Sequence, residues 1–292
     1  MARFAYVNGR FLRHEDAVVH IEDRGFQFAD GVYEVVTILG GRFVDAPAHL
    51  ARLSYSLREL SIEPPVAKAS LTVLMRALVR MNGLREGVLY LQVTRGVAPR
   101  DFKFPRGVRS TLVMTTRRMR LSAPERLETG VAVVTVPDIR WARRDIKSTG
   151  LLAQVLAKQK AVEQGGFEAW MVDPAGFVTE GASSNAWILT KDGKLVTRPT
   201  DRSILHGVTG NTIEHLAAEL GISVERRPFT VAEAMTAREA FVSSATTFCL
   251  PVVAIDGRPI ANGHPGEITR NLASRYWDYA RGGREQEFPW RQ

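Results

Sequence analysis

Gly31-Val32-Tyr33-Glu34-Val35-Val36-Thr37-Ile38-Leu39-Gly40-Gly41-Arg42-Phe43-Val44 is the stretch on which the reading of the fold turns. From Gly31 to Leu39 it is rich in valine, tyrosine and isoleucine, the composition of a β-strand. Gly40-Gly41 turns that strand back into Arg42-Phe43-Val44. Pro47 then starts a helix in which Leu50, Leu53, Leu57 and Leu60 recur at helical spacing. Upstream, Phe4 to Val7 and Phe11 to Leu12 flank Asn8-Gly9, a two-residue hairpin signal. Downstream, a helix over residues 69–81 ends near Asn82-Gly83. Strands over 88–94 and 111–115 follow, joined by a long loop rich in proline, glycine and arginine.

Residues 122–130 are polar and read as a linker. Beyond them comes a strand at 131–136, then a helix at 151–163 with Leu152, Val155, Leu156 and Val162 on one face, stopped by Gly165-Gly166. Strands at 167–172, 177–179 and 186–190 are separated by the turns Asp173-Pro174-Ala175-Gly176 and Lys191-Asp192-Gly193. A helix at 209–220 ends at Gly221, Thr230 and Glu233 fit a capping box, and a strand at 240–243 runs into a Ser/Thr-rich loop. The class is α+β in two parts: a smaller α/β domain over 1–121 and a larger β-rich domain over 131–280, followed by a polar tail at 281–292.

The bulk numbers exclude several classes. A chain of 292 residues with 45% apolar and 24% charged content can build proper cores. No stretch reaches the ~18–20 apolar residues of a membrane span, and Met1 to Arg10 contain no signal-peptide core. The single cysteine, Cys249, forbids an intrachain disulfide. A cytoplasmic protein is expected. The net charge of +8 invites an anionic partner, but the basic residues are scattered and lack interleaved aromatics, so nucleic acid is not the expected one. The six histidines form no metal-ligand spacing, and neither a dinucleotide fingerprint nor a P-loop is present.

Four segments carry chemistry, each with an ordinary alternative. Lys147, in Asp145-Ile146-Lys147-Ser148, lies between an extended stretch and a helix, where a desolvated lysine becomes a nucleophile; a lysine there is otherwise a solvated one. Glu180 ends a strand before the small residues Gly181 to Ser184, a place for a flat ring against backbone or a plain glycine turn. Leu205-His206-Gly207-Val208-Thr209 opens a helix whose free N–H groups suit a phosphate, or which is merely capped. Arg52 sits on an amphipathic helix, as a second phosphate cation or as a surface charge.

The order and wording of these segments resemble the fold-type IV pyridoxal-phosphate enzymes, specifically the D-amino-acid transaminases. The likeness runs from about Ala5 to Tyr279 and rests on Tyr6 to Gly9, Asp23 to Val35, His49 to Leu53, Gln92 to Gly96, Asp145 to Ser148, Val178 to Asn185, Ile204 to Thr209 and Phe241 to Val252. The resemblance implies pyridoxal 5′-phosphate as cofactor, with 131–280 as the domain that binds it. It makes Lys147 the Schiff-base and proton-shuttling residue, Glu180 the partner of the ring nitrogen, and Arg52, Val208, Thr209 and Thr246 the phosphate ligands. Leu205 packs on the ring and Ser184 belongs to the same cofactor pocket. It further implies a homodimer in which the Arg100 loop crosses the interface.

Tyr33 and Arg100 match the family's carboxylate trap, but Phe102 stands where a histidine is usual, and Lys103 is the nearest replacement cation. Ala245 stands where relatives often carry a hydroxyl. The expected reaction is ping-pong transamination of a D-amino acid with pyruvate or 2-oxoglutarate. An (R)-selective amine transaminase and an aminodeoxychorismate lyase are the alternatives on the same fold.

Overall fold

The computed structural model describes residues 3–121 and 124–282. Asn8 and Gly9 both take positive φ, 45° and 92°. That is the geometry with which a two-residue turn matches the twist of its flanking strands. The turn joins Phe4–Val7 to Arg10–Arg13, with Val7 opposite Arg10. This hairpin opens a six-stranded sheet in the order Arg10–Arg13, Phe4–Val7, Thr111–Arg118, Glu86–Thr94, Gly31–Leu39, Arg42–Phe43. Every pairing in it is antiparallel. Gly87 is obligatory there: its φ is +147°, and a Cβ would stand 2.1 Å from the Arg117 carbonyl oxygen of the paired strand.

Strand alternation puts Val32, Glu34, Val36 and Ile38 on one face, all fully buried. The helices Ala46–Glu59 and Lys68–Met81 pack into the same core through Leu50, Leu53, Leu57, Leu71, Met75 and Leu78. Each such leucine contributes about 1.5–3 kcal/mol over its exposed state. Glu34 is the one carboxylate on that buried face, and its partners decide its function.

This first compact unit comprises Met1–Leu121 and also Ile146–Leu151. The sequence places Lys147 within the 131–280 domain; its segment packs instead with the first unit. The reason is main-chain pairing. Tyr33 N–H donates to the Lys147 carbonyl at 3.0 Å, Thr149 N–H to that of Gly31 at 3.0 Å, and Lys147 N–H to Ser56 Oγ at 3.2 Å.

The second unit, Ser122–Asp145 with Leu152–Gln292, is built on a larger sheet. Its order is Val224–Arg226, Leu195–Thr197, Asn185–Leu189, Glu239–Ser244, Phe248–Ile255, Val131–Pro137, Glu168–Val172, Val178–Gly181, with Arg258–Pro259 added against Phe248–Ile255. Val131–Pro137 runs parallel to both its neighbours. The core holds Trp170 edge-on to Phe229 at 6.0 Å, with Val178, Ile188 and Val242 around them. Helix Glu267–Arg281 is fastened by Glu239, whose carboxylate accepts the N–H groups of Ile268 and Thr269 at 3.1 and 2.8 Å.

Several expectations need correction. The 122–130 linker contains a helix, Pro124–Thr129, while Ser122 and Ala123 lie outside the described residues. In the 281–292 tail, Arg281 closes the last helix, and residues 283–292 lie outside the described residues. Helix Leu152–Glu163 does not bury its leucine and valine face. It packs through Ala157 and Ala161 against Val134, Ala169 and Met171, because small residues let a helix approach a sheet closely. Leu152, Val155, Leu156 and Val162 stay 54–72% exposed. The capping box is half formed: Thr230 accepts from Glu233 N–H at 3.1 Å, but the Glu233 carboxylate turns to Arg227.

Candidate active site

In the first unit, Lys147 is half-buried and its Nζ stands 4.3 Å from the centre of the Tyr33 ring. Among the described residues it makes no ion pair. The Tyr33 ring face fixes where that amine stands. Tyr33 is held in turn by stacking on Tyr90, centroids 5.7 Å apart. Burial, with Tyr33 alongside, pushes the Tyr90 hydroxyl up to about 12, so it stays a neutral donor to Gln92 at 2.6 Å.

Arg52 projects from helix Ala46–Glu59 and is clamped by Glu34, with Nε–Oε1 2.8 Å and Nη2–Oε2 2.9 Å. His49 Nδ1 meets the same carboxylate at 2.7 Å. Burial raises the Glu34 pKa, but Arg52 and His49 more than offset it and hold the group at about 2. The sign follows from that depression: the ionised pair stabilises the fold fully above the ordinary value of 4.5 and loses that contribution as pH falls through about 2. The expected result is that Glu34→Gln flattens the acid limb of a stability-versus-pH curve between those values. Parallel acid limbs for the two proteins would contradict it.

Arg100, Phe102 and Lys103 lie on an exposed loop of the same unit. The Arg100 guanidinium stands 4.6 Å over the Phe28 ring, and the Phe102 ring is 5.4 Å from Phe28.

In the second unit, Glu180 is the last residue but one of strand Val178–Gly181 and is 4% exposed. Its carboxylate pairs with Arg140 and accepts Asn185 Nδ2 at 3.0 Å and Leu205 N–H at 3.1 Å. Burial pushes the Glu180 carboxyl up, with Arg140 pulling the other way. Arg140 is itself held by Asp138 through Nε at 3.0 Å and Nη2 at 2.7 Å. Asn185 also donates to the Leu205 carbonyl at 3.2 Å. Gly207 has no room for a side chain, since a Cβ would sit 2.0 Å from Asn185 Oδ1. Asn185 thus ties the glutamate to the start of helix Val208–Glu219.

That helix begins without a side-chain cap, leaving the N–H groups of Val208 and Thr209 for an anion. Asn185 pairs with Ser243, so the hydroxyl cluster that follows is at the same end of the sheet. There Ser244 Oγ lies 2.8 Å from Thr247 Oγ1 and 3.3 Å from Thr246 Oγ1. Ser184 is engaged elsewhere: its hydroxyl donates to Glu168 at 3.1 Å.

Taken unit by unit, the chemistry present fits a phosphorylated pyridine aldehyde: the first unit offers the Lys147 amine, and the second offers the buried Glu180 carboxylate and the start of helix Val208–Glu219, which has no side-chain cap. Sequence reasoning misses Arg140, Asn185 and Glu34. Arg140 stands two residues from Asp138, a carboxylate–arginine spacing that is the one signal able to separate it from the basic cluster around it.

The chain belongs to the amino-transferase class IV family, whose model matches residues 31–255. It is an aminotransferase of fold type IV. It is 41% identical to the D-alanine aminotransferase of Bacillus licheniformis over 266 residues, 91% of this chain and 93% of the relative. A D-alanine aminotransferase of Staphylococcus epidermidis is 37% identical over 274 residues, 94% and 96% of the two chains. Among solved structures, the branched-chain amino acid aminotransferase from Escherichia coli superposes with a TM-score of 0.89 at 24% identity, covering 99% of this chain and 97% of that one.

Proposed function

We propose that this chain transfers the amino group of a D-amino acid to a 2-oxo acid, using pyridoxal 5′-phosphate joined to Lys147. The observation that carries the reading is the Lys147 amine over the Tyr33 ring, with no ion pair among the described residues. The names of the D-alanine aminotransferases support the substrate class.

When bound, the cofactor supplies an electron sink for the charge left on a substrate Cα. Lys147 Nζ takes the Cα proton and returns it, which makes it the general base and then the general acid. Glu180, kept in place by Arg140 and Asn185, would hold a proton on the ring nitrogen. Arg52, Val208, Thr209 and Thr246 would hold the phosphate, and Leu205 would pack against the ring. Tyr33 and Arg100 receive the substrate α-carboxylate. Phe102 contributes an apolar wall where a histidine would have donated a hydrogen bond, and Lys103 adds positive charge.

The protein acts as a homodimer in the cytoplasm. The exposed leucine and valine face of helix Leu152–Glu163, and Phe102 at 81% exposure, are surfaces that a second copy would cover. One preparation tests both statements. D-Alanine with 2-oxoglutarate yields pyruvate and an aminated product, L-alanine does not, and light scattering gives twice 32.4 kDa. Turnover of (R)-1-phenylethylamine in place of D-alanine would redirect the reading to an amine transaminase. Pyruvate released from aminodeoxychorismate without an aminated product would redirect it to a lyase. A mass of one chain would remove the dimer.

A further inference from the structure

The loop that carries Arg100 and Phe102 joins Glu86–Thr94 to Thr111–Arg118 and contains no helix or extended strand. Its position is nonetheless fixed by a buried ionic chain. Arg24, 3% exposed, donates through Nε to Asp30 Oδ2 at 2.8 Å and through Nη1 to the Asp101 carbonyl oxygen at 2.5 Å. Its own N–H donates to the Gly96 carbonyl at 2.9 Å. Asp30 is held on its other side by Arg95, through Nε at 2.7 Å and Nη2 at 3.0 Å. Arg95 in turn donates to the carbonyls of Leu60 at 2.7 Å and Ser61 at 2.8 Å, just beyond helix Ala46–Glu59.

The links therefore run from a helix end through Arg95, Asp30 and Arg24 to the main chain of Asp101, between Arg100 and Phe102. The Phe28 ring adds a second fixture, with Arg24 4.8 Å from its centre, Arg100 4.6 Å from it and the Phe102 ring 5.4 Å away. Two arginines on one carboxylate cost desolvation that an apolar cluster would avoid. What they provide here is a defined direction: a planar fork that grips a side chain and a loop carbonyl together.

We propose that Arg24 is a positioning residue that fixes the Asp101 main chain and, with Phe28, sets where Arg100 and Phe102 stand, and so how tightly a carboxylate-bearing substrate is held. The proposal rests on the reading above that Arg100 receives the substrate carboxylate.

The test is steady-state kinetics on the holoenzyme, normalised to cofactor content. Arg24→Lys keeps a charge beside Asp30, but one ammonium cannot reach both Asp30 and the Asp101 carbonyl. Its KM for D-alanine rises about tenfold while kcat stays within about threefold. Phe28→Leu, which keeps Arg24, raises KM in the same direction and serves if Arg24→Lys fails to fold. Arg100→Ala raises KM alone, and Arg24→Lys adds nothing in the double variant, because the two act through one contact. An unchanged KM in Arg100→Ala would sink the carboxylate reading and the proposal with it. A raised KM in Arg100→Ala, with Arg24→Lys and Phe28→Leu silent or with effects that multiply, would overturn the proposal and leave the reading standing.

Discussion

Replacing Lys147 by alanine is expected to lower transamination by about 10⁴-fold or more, the largest effect of any single change in the chain. On the proposed function two roles are lost together: the amine that would join the carbonyl cofactor and the base that would move the Cα proton. The fold should survive, because the tie between this segment and strand Gly31–Leu39 is main-chain hydrogen bonding, and the Lys147 N–H bond to Ser56 Oγ is likewise one that alanine retains. Among the described residues Nζ has no ion pair to lose. Lys147→Arg should be equally inactive, since a guanidinium does not give up its proton at working pH. Single-turnover rates and thermal midpoints measured side by side separate the outcomes. An alanine variant within tenfold of the parent protein would remove Lys147 from the chemistry.

The second large effect is expected at Glu180. Glu180→Gln preserves size and an acceptor for Leu205 N–H, but removes the charge that Arg140 faces and that, on the proposed function, would face the ring nitrogen. Loss of a fixed charge opposite a site where charge develops costs about 10²–10³-fold in kcat. KM should move much less. Stability is a separate readout. Breaking a buried ion pair costs about 3–5 kcal/mol when a charge is left alone. Here Arg140 keeps Asp138 on two nitrogens, so the loss should be smaller. A variant with full kcat would show that Glu180 only fastens the loop at Leu205.

Much of this was legible in the sequence because local chemistry and long-range packing agree. Asn8-Gly9 demands a hairpin, and the leucine repeat after Pro47 demands a helix with one buried face. Lys147 and Glu180 are weak signals taken singly, and it is the resemblance of their segments to the family that singles them out. What could not be read was tertiary. The apolar stripe of helix Leu152–Glu163 has the pattern of a core face, yet the helix packs through Ala157 and Ala161. No periodicity distinguishes a stripe for this chain's own core from one left at the surface. Lys147 belongs in sequence to the second half and in space to the first unit, through pairing that a linear reading does not reveal. The partners of the site charges escaped for the same reason. Glu34 and Arg52 are 18 residues apart and Arg140 and Glu180 are 40 apart, and neither spacing falls on one helix or strand.

The most direct test is the absorbance spectrum of the purified protein, incubated with pyridoxal 5′-phosphate and then given D-alanine or L-alanine. The account predicts a visible chromophore that borohydride fixes onto the peptide containing Lys147. D-Alanine should bleach it, a 2-oxo acid should restore it, and L-alanine should leave it unchanged. A protein that stays colourless with the cofactor, or that L-alanine bleaches as readily as D-alanine, would contradict it.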